Sequence, residues 1–189
     1  MNIHHTIKQR RSVFPGKYTQ GSILEEHMEQ ILDAARWAPT HKKTEPWRYK
    51  VVSGEGLKRL GSFMGEEHAR FKGNSTSLKS KKFIEKMQRA SAIILIFMNR
   101  DKKERIPEWE EIAAVSMSVQ NMWLTASSLG YGAYWSSPKS YADMNRMKEL
   151  GIEENDQFLG FLYLGTRMDE EKKELPKRKS IEEFVKFID

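Results

Sequence analysis

Among its 189 residues the chain has no cysteine. A disulfide framework, a thiolate metal site and a cysteine nucleophile are therefore excluded, in keeping with a reducing compartment. No stretch approaches the roughly 20 apolar residues that a membrane-spanning helix needs. The best run, Ala92 to Met98, is only as long as a strand. The polar N-terminus has no signal-peptide apolar region, so the sequence predicts a cytoplasmic protein. Familiar catalytic signatures are also missing. There is no phosphate-cradling Gly-x-x-x-x-Gly-Lys-Ser/Thr loop, no Gly-x-Ser-x-Gly elbow and no paired-histidine zinc helix. His4 and His5 are adjacent and cannot share one helical face as metal ligands. Gly130-x-Gly132 lacks the third glycine of a dinucleotide fingerprint and precedes a strand instead of following one. No internal repeat and no second domain are visible.

Charge is what the chain has in quantity. The formal net charge is +6 and the sequence pI about 9.4. A polyanion partner is the first reading of such numbers. The distribution argues against it, since Lys and Arg are scattered and local clusters at 101–105 and 172–179 are mixed with acids. No nucleic-acid module is present, so solvated helix ends and loops are the better account.

Apolar spacing supplies the elements. Ile3 and Ile7 suggest a short helix whose last turn holds Lys8, Arg10 and Arg11, where cations favour a helix C-terminus. Pro15-Gly16 then makes a turn. Ser22, with Glu25 three residues on, reads as a capping box opening a helix that buries Leu24, Met28, Ile31, Leu32 and Ala35 and stops at Pro39. A polar loop, 40–46, leads into a strand at Trp47–Val52, where apolar and charged residues alternate. Leu57, Leu60, Met64 and Phe71 mark a helix over Gly56–Phe71, Gly73–Ser77 a flexible linker, and Lys79–Arg89 a basic helix. Together they suggest a mobile lid at about residues 56–90. Three more strands are expected at Ala92–Met98, Tyr131–Ser137 and Gln157–Leu164, and a short helix at Met144–Leu150. At the end of the chain Ile181, Phe184, Val185 and Ile188 return to apolar spacing that suits packing against another surface. Strands separated by helices make this a single α+β domain, a mixed α/β sandwich over residues 1–189.

The longest helix, Glu110–Ser128, has a large apolar face (Ile112, Val115, Val119, Met122, Trp123, Ala126, Leu129) and a second stripe of small residues (Ala114, Ser118, Asn121, Thr125, Ser128). Small side chains let backbones approach closely, so that stripe suggests a two-fold helix–helix interface. The helix feeds through a glycine turn into Tyr131–Trp135-Ser136-Ser137, an aromatic wall fit for a flat ligand. Two basic groups, Arg10-Arg11-Ser12 and Lys177-Arg178-Lys179, stand near opposite ends of the chain. Guanidinium forks match phosphate oxygens. Anion binders without a nucleophile fit a phosphorylated flat cofactor that carries the chemistry itself.

The order of these blocks resembles the nitroreductase-like family of FMN enzymes. Arg10-Arg11-Ser12 looks like its opening Arg-Arg-Ser, and Ala38–Tyr49 is similar to its Ala-Pro-Ser…Gln-Pro-Trp block. Gln120–Ala126 with Leu129–Trp135 resembles its helix and Gly-x-Gly turn. Leu164-Gly165-Thr166 and Arg178–Val185 look like its closing segments. The resemblance implies a central, mostly antiparallel sheet flanked by helices, and a homodimer with two FMN sites shared between subunits. It implies that Arg10, Arg11 and Ser12 hold the ribityl phosphate and ring polar atoms, with Arg178 and Lys179 completing the clamp. Trp37, Thr40 and His41 would reach the flavin from the other subunit, and Trp135, Ser136 and Ser137 would run along the ring. The implied reaction is ping-pong: NADH or NADPH gives hydride to flavin N5, and a small-molecule acceptor, a nitroaromatic or a quinone, takes the electrons. A dehalogenase, a dehydrogenase or a non-catalytic flavin- or anion-binding protein are the alternatives. Three positions depart from the family pattern. Phe14 stands where many members have a base that faces flavin N1 and O2, with Lys17 the next cation along the chain. Lys43 stands where many have Asn, and Glu45 replaces Gln.

Overall fold

An unbroken apolar strand can bury every side chain only if both faces of its sheet are covered. That is how the computed structural model arranges this one. It describes residues 2–72, 78–137, 156–167 and 175–188. In chain order the helices are α1 (Ile3–Gln9), α2 (Glu25–Ala35), α3 (Glu55–Lys72), α4 (Leu78–Gln88) and α5 (Glu108–Ser128). The strands are β1 (Trp47–Ser53), β2 (Ala92–Asn99), β3 (Tyr131–Ser136) and β4 (Asp156–Thr166). They form an antiparallel sheet in the order β1-β2-β4-β3.

Alternation along β2 divides the core. Ile93, Leu95 and Phe97, with Phe161 and Tyr163 of β4, face Leu57, Leu60 and Met64 of α3 and Met87 of α4. Ile94, Ile96 and Met98, with Leu162 and Leu164, face α2 and α5 through Ile31, Ala35, Val115, Val119, Met122 and Ala126. Each fully buried side chain of this size contributes about 1.5–3 kcal/mol. The α3–α4 hairpin, the expected lid, therefore supplies half of one core. Any movement of 56–90 has to pivot without exposing Leu60, Met64 and Met87.

Strand positions agree with the sequence expectation to within a residue or two, and several local expectations are corrected. Ser22 caps nothing: α2 begins at Glu25, with Leu24 as a cap that offers no side-chain bond. Tertiary contacts hold the preceding segment extended. Ser91 Oγ donates to Gly21 O at 2.6 Å, and Leu24 N donates to Tyr131 OH at 3.3 Å. The first half of the small-residue stripe of α5 is taken within the chain, while Ser128 at its end is exposed. Ser118 is fully buried, its hydroxyl donating to Val115 O at 2.7 Å and accepting from Tyr49 OH, and Asn121 Nδ2 donates to Ala34 O at 3.2 Å. What α5 exposes is a different line, with Trp109 and Met117. Ile3 and Ile7 point outward from α1, and the terminal Ile181, Phe184, Phe187 and Ile188 are 61–96% exposed. The expected linker at 73–77 and helix at 144–150 lie outside the described residues.

Two features seat the N-terminal segment on β3. Val13 N donates to Ala133 O at 3.0 Å beside a parallel bridge between Ser12 and Ala133. Tyr18 then lies across the paired Gly132 and Gly165; a Cβ on Gly165 would meet its ring at 2.4 Å. Gly130, at φ +87°, ends the α5 exit turn so that β3 can start at once.

Candidate functional site

Two sets of side chains emerge, at opposite ends of α5. The first gathers where α1 ends. Arg11 caps that helix: its Nη1 donates to Lys8 O at 2.6 Å and Arg10 O at 2.7 Å. Arg10 turns the other way and lays its guanidinium over the Trp123 ring, 4.4 Å from the centroid. Burial, then the charges of Arg11 and Arg178, lower the Arg10 pKa. The two ends of the chain thus meet here electrostatically. Among the described residues no carboxylate pairs with Arg10, Arg11 or Arg178. Arg10 Nη1 and Trp123 Nε1 are both buried donors without an acceptor. Unpaired buried donors and uncompensated like charges both cost stability. An anion at this place removes both costs, so the donor set fits a phosphate or another oxyanion. Lys179 is exposed next to Arg178.

Ser12 is exposed, its backbone fixed against β3. Farther along that strand, Trp135 Nε1 and Ser137 Oγ both donate to Leu159 O, at 3.2 and 3.0 Å. A bulge in β4 turns that carbonyl toward them, and Gly160, at φ +128°, has Ser136 O packed against it where a Cβ would stand. Ser136 is half-buried on β3.

The second set sits at the start of α5. His41 Nδ1 is 2.6 Å from Glu110 Oε2. Thr40 Oγ1 accepts from Glu45 N at 3.2 Å and bonds Thr44 Oγ1 at 3.3 Å. Lys42 Nζ donates to Arg105 O at 3.0 Å. Lys42, Lys43 and Glu45 all have positive φ, at 50°, 52° and 44°. Left-handed backbone costs a non-glycine residue about 1–2 kcal/mol, so these bonds hold a strained loop. Trp37 lies nearby in sequence, 70% exposed, its Nε1 donating to Asp33 Oδ2 at 3.1 Å. With Glu26, Glu29 and Gln30 it lines an open groove of about 680 Å³.

Glu110 and Trp123 are thirteen residues apart on one straight helix, about 20 Å at the helical rise. Within one chain the His41 set is therefore remote from the Arg10 set.

Sequence reasoning missed three participants. Trp123 read as a core residue, though its ring carries Arg10. Glu110 read as the start of a helix. Lys86 was not singled out within the basic helix, yet it is half-buried, its Nζ 4.8 Å from the Tyr134 ring and 4.9 Å from the Tyr163 ring. Burial lowers its pKa. Phe14 packs at a tilt of 43° against the same Tyr134, centroids 4.5 Å apart.

A model of the nitroreductase family matches residues 7–166. The chain belongs to the nitroreductase family. An Escherichia coli (strain K12) relative, "Putative NAD(P)H nitroreductase YdjA", is 30% identical over 145 residues, 75% of this chain and 76% of that one. The crystal structure of a nitroreductase-like family protein from Bacillus cereus superposes with a TM-score of 0.83 at 28% identity, covering 100% of this chain and 96% of the other. A nitroreductase with bound FMN from Bacteroides fragilis shares the fold at 20% identity, with a TM-score of 0.73 and both chains covered completely.

Proposed function

We propose that this nitroreductase-family chain is a cytoplasmic, homodimeric FMN-dependent oxidoreductase that takes hydride from NADH or NADPH and reduces small acceptors such as nitroaromatics or quinones. The observation that carries the reading is the half-buried Arg10: its Nη1 is buried and unpaired, and Arg11 and Arg178 press on it with no compensating carboxylate among the described residues. A cofactor phosphate is the anion such a clamp suits, and the relative's name and the FMN-bound neighbour support that choice. Arg10, Arg178 and Lys179 would hold the phosphate, and Ser12 would offer a neutral hydroxyl. Trp135, Ser136 and Ser137, fixed against Leu159 O, would form the wall beside the ring. Flavin, when bound, supplies the two-electron chemistry at its N5.

The separation along α5 supports a second subunit. His41 meets Glu110 and Arg10 meets Trp123, positions about 20 Å apart along the helix, so a site using both sets would take one from each subunit. The exposed Trp109 and Met117, on the outer line of α5, suit the contact between them. Lys86, next to Phe14 and Tyr134, would bring a cation to the end of the ring where position 14 has none. No described helix is long and apolar enough to cross a membrane.

Purified protein should be yellow, with a flavin spectrum near one FMN per chain, and should bleach anaerobically on addition of NADH or NADPH. A colourless protein that takes up no FMN ends the cofactor reading. Flavin that no nicotinamide reduces would leave a binder, and an acceptor panel separates the nitro- and quinone-reducing readings from dehalogenation.

A further inference from the structure

Glutamates 110 and 111 are neighbours at the start of α5 with opposite duties. Glu111 is fully buried and turns inward, bonding Arg100 Nη1 and accepting from Asp101 N at 3.1 Å. Arg100 Nη2 in turn donates to Ile106 O at 2.8 Å, so Glu111 fixes the connection from β2 to α5. Glu110 is not needed for that. Its carboxylate faces the 40–45 loop and meets His41 Nδ1 at 2.6 Å.

The loop it meets has an unusual need of restraint. Three of its non-glycine residues are left-handed, and among the described residues the contacts that hold them, from Thr40, Lys42, Thr44 and the Arg48 side chain, which donates to Glu45 O at 3.0 Å, are all to backbone or within the loop except the one to Glu110. That single contact is to an imidazole, and it engages Nδ1. A ring nitrogen bonded to a carboxylate carries the hydrogen, which leaves Nε2 as the outward atom.

We propose that Glu110 is a positioning residue: it holds the His41 ring with hydrogen on Nδ1 and presents Nε2 to the flavin slot completed by the second subunit. This rests on the shared-site reading above. Neutral His41 then meets a ligand as an acceptor through Nε2, and protonated His41 as a donor from the same atom. Without Glu110 the ring turns freely and the alternative hydrogen position competes.

The test combines ring-nitrogen NMR of the full-length dimer with FMN titration of wild type, Glu110→Ala, Glu110→Gln, His41→Ala and the double variant Glu110→Ala/His41→Ala. Wild-type His41 should show hydrogen on Nδ1, Glu110→Ala should shift it toward Nε2, and Glu110→Gln, whose amide oxygen still accepts, should keep most of it. FMN should bind roughly tenfold more weakly to Glu110→Ala and to His41→Ala, and the double variant should be no weaker than His41→Ala alone. That non-additivity marks a residue acting through another. Additive losses would assign Glu110 an independent structural role and overturn the proposal, as would a wild-type Nε2–H ring. If Glu110→Ala does not fold, Glu110→Met, which fills similar space and offers no carboxylate, takes its place in the cycle with His41 and decides between the same two outcomes. Wild-type protein that binds no FMN would sink the cofactor reading itself, whereas flavin bound with an additive cycle sinks only the role of Glu110.

Discussion

Arg10→Met separates the cost of the clamp from its use. Methionine keeps an unbranched apolar stem over Trp123 and removes the guanidinium. In the flavin-free protein two effects then oppose each other. Losing the cation–π contact at 4.4 Å costs about 0.5–2 kcal/mol. Removing a buried donor that has no acceptor returns about 1–3 kcal/mol, and the repulsion from Arg11 and Arg178 goes with it. The expected net change is small, within about 1 kcal/mol and toward greater stability. With FMN bound the balance reverses, because a charge-assisted bond to phosphate of about 1.5–3 kcal/mol is lost. Affinity should fall roughly ten- to a hundredfold at 1.4 kcal/mol per decade. Thermal melts with and without FMN, together with a fluorescence titration, read both numbers on one sample. The rise in Tm on adding FMN should shrink in the variant while the flavin-free Tm holds or climbs. An affinity within about threefold of wild type, or a flavin-free protein weakened by more than about 2 kcal/mol, would show that Arg10 serves Trp123 and not an anion.

Lys43→Gly should raise stability by about 0.5–1 kcal/mol, because glycine accepts the left-handed backbone at φ 52°; a lower Tm would contradict the strain argument. Asp101 accepts from Arg105 Nε at 2.8 Å, and its carboxyl is held at about 2, below its ordinary 3.8. A depressed carboxyl contributes stability that is present above pH 3.8 and lost as pH falls toward 2. Asp101→Asn should therefore be less stable than wild type at neutral pH, with the gap closing across that window in acid melts. Ser118→Arg places a charge in a fully buried position beside Tyr49 and should abolish folding. Met117→Arg, on the exposed line of α5, should fold and yield a monomer by light scattering, and a stable dimer there would move the interface elsewhere.

Periodicity made the four strands and the two-sided burial of β2 legible from the sequence. Alternation and unbroken apolar runs report which faces are covered, and both are local properties. The basic groups at 10–12 and 177–179 also stand out in the sequence as candidate anion binders, since guanidinium chemistry travels with the residue. Which arginine keeps an unpaired donor and which caps the helix was not legible. Arg10 and Arg11 are adjacent and alike, and only the turn at the end of α1 sends one to Trp123 and the other back to Lys8 O. The small-residue stripe of α5 shows a related limit: small side chains announce a close approach without naming the neighbour, and at Ser118 and Asn121 the neighbours are Tyr49 and α2. Lys86 and Glu110 were invisible in the same way, because a charged residue on a helix has solvent as its default partner. Tertiary structure alone decided that one would lie over two tyrosine rings and the other against a histidine, since burial and partnership depend on what long-range packing brings alongside.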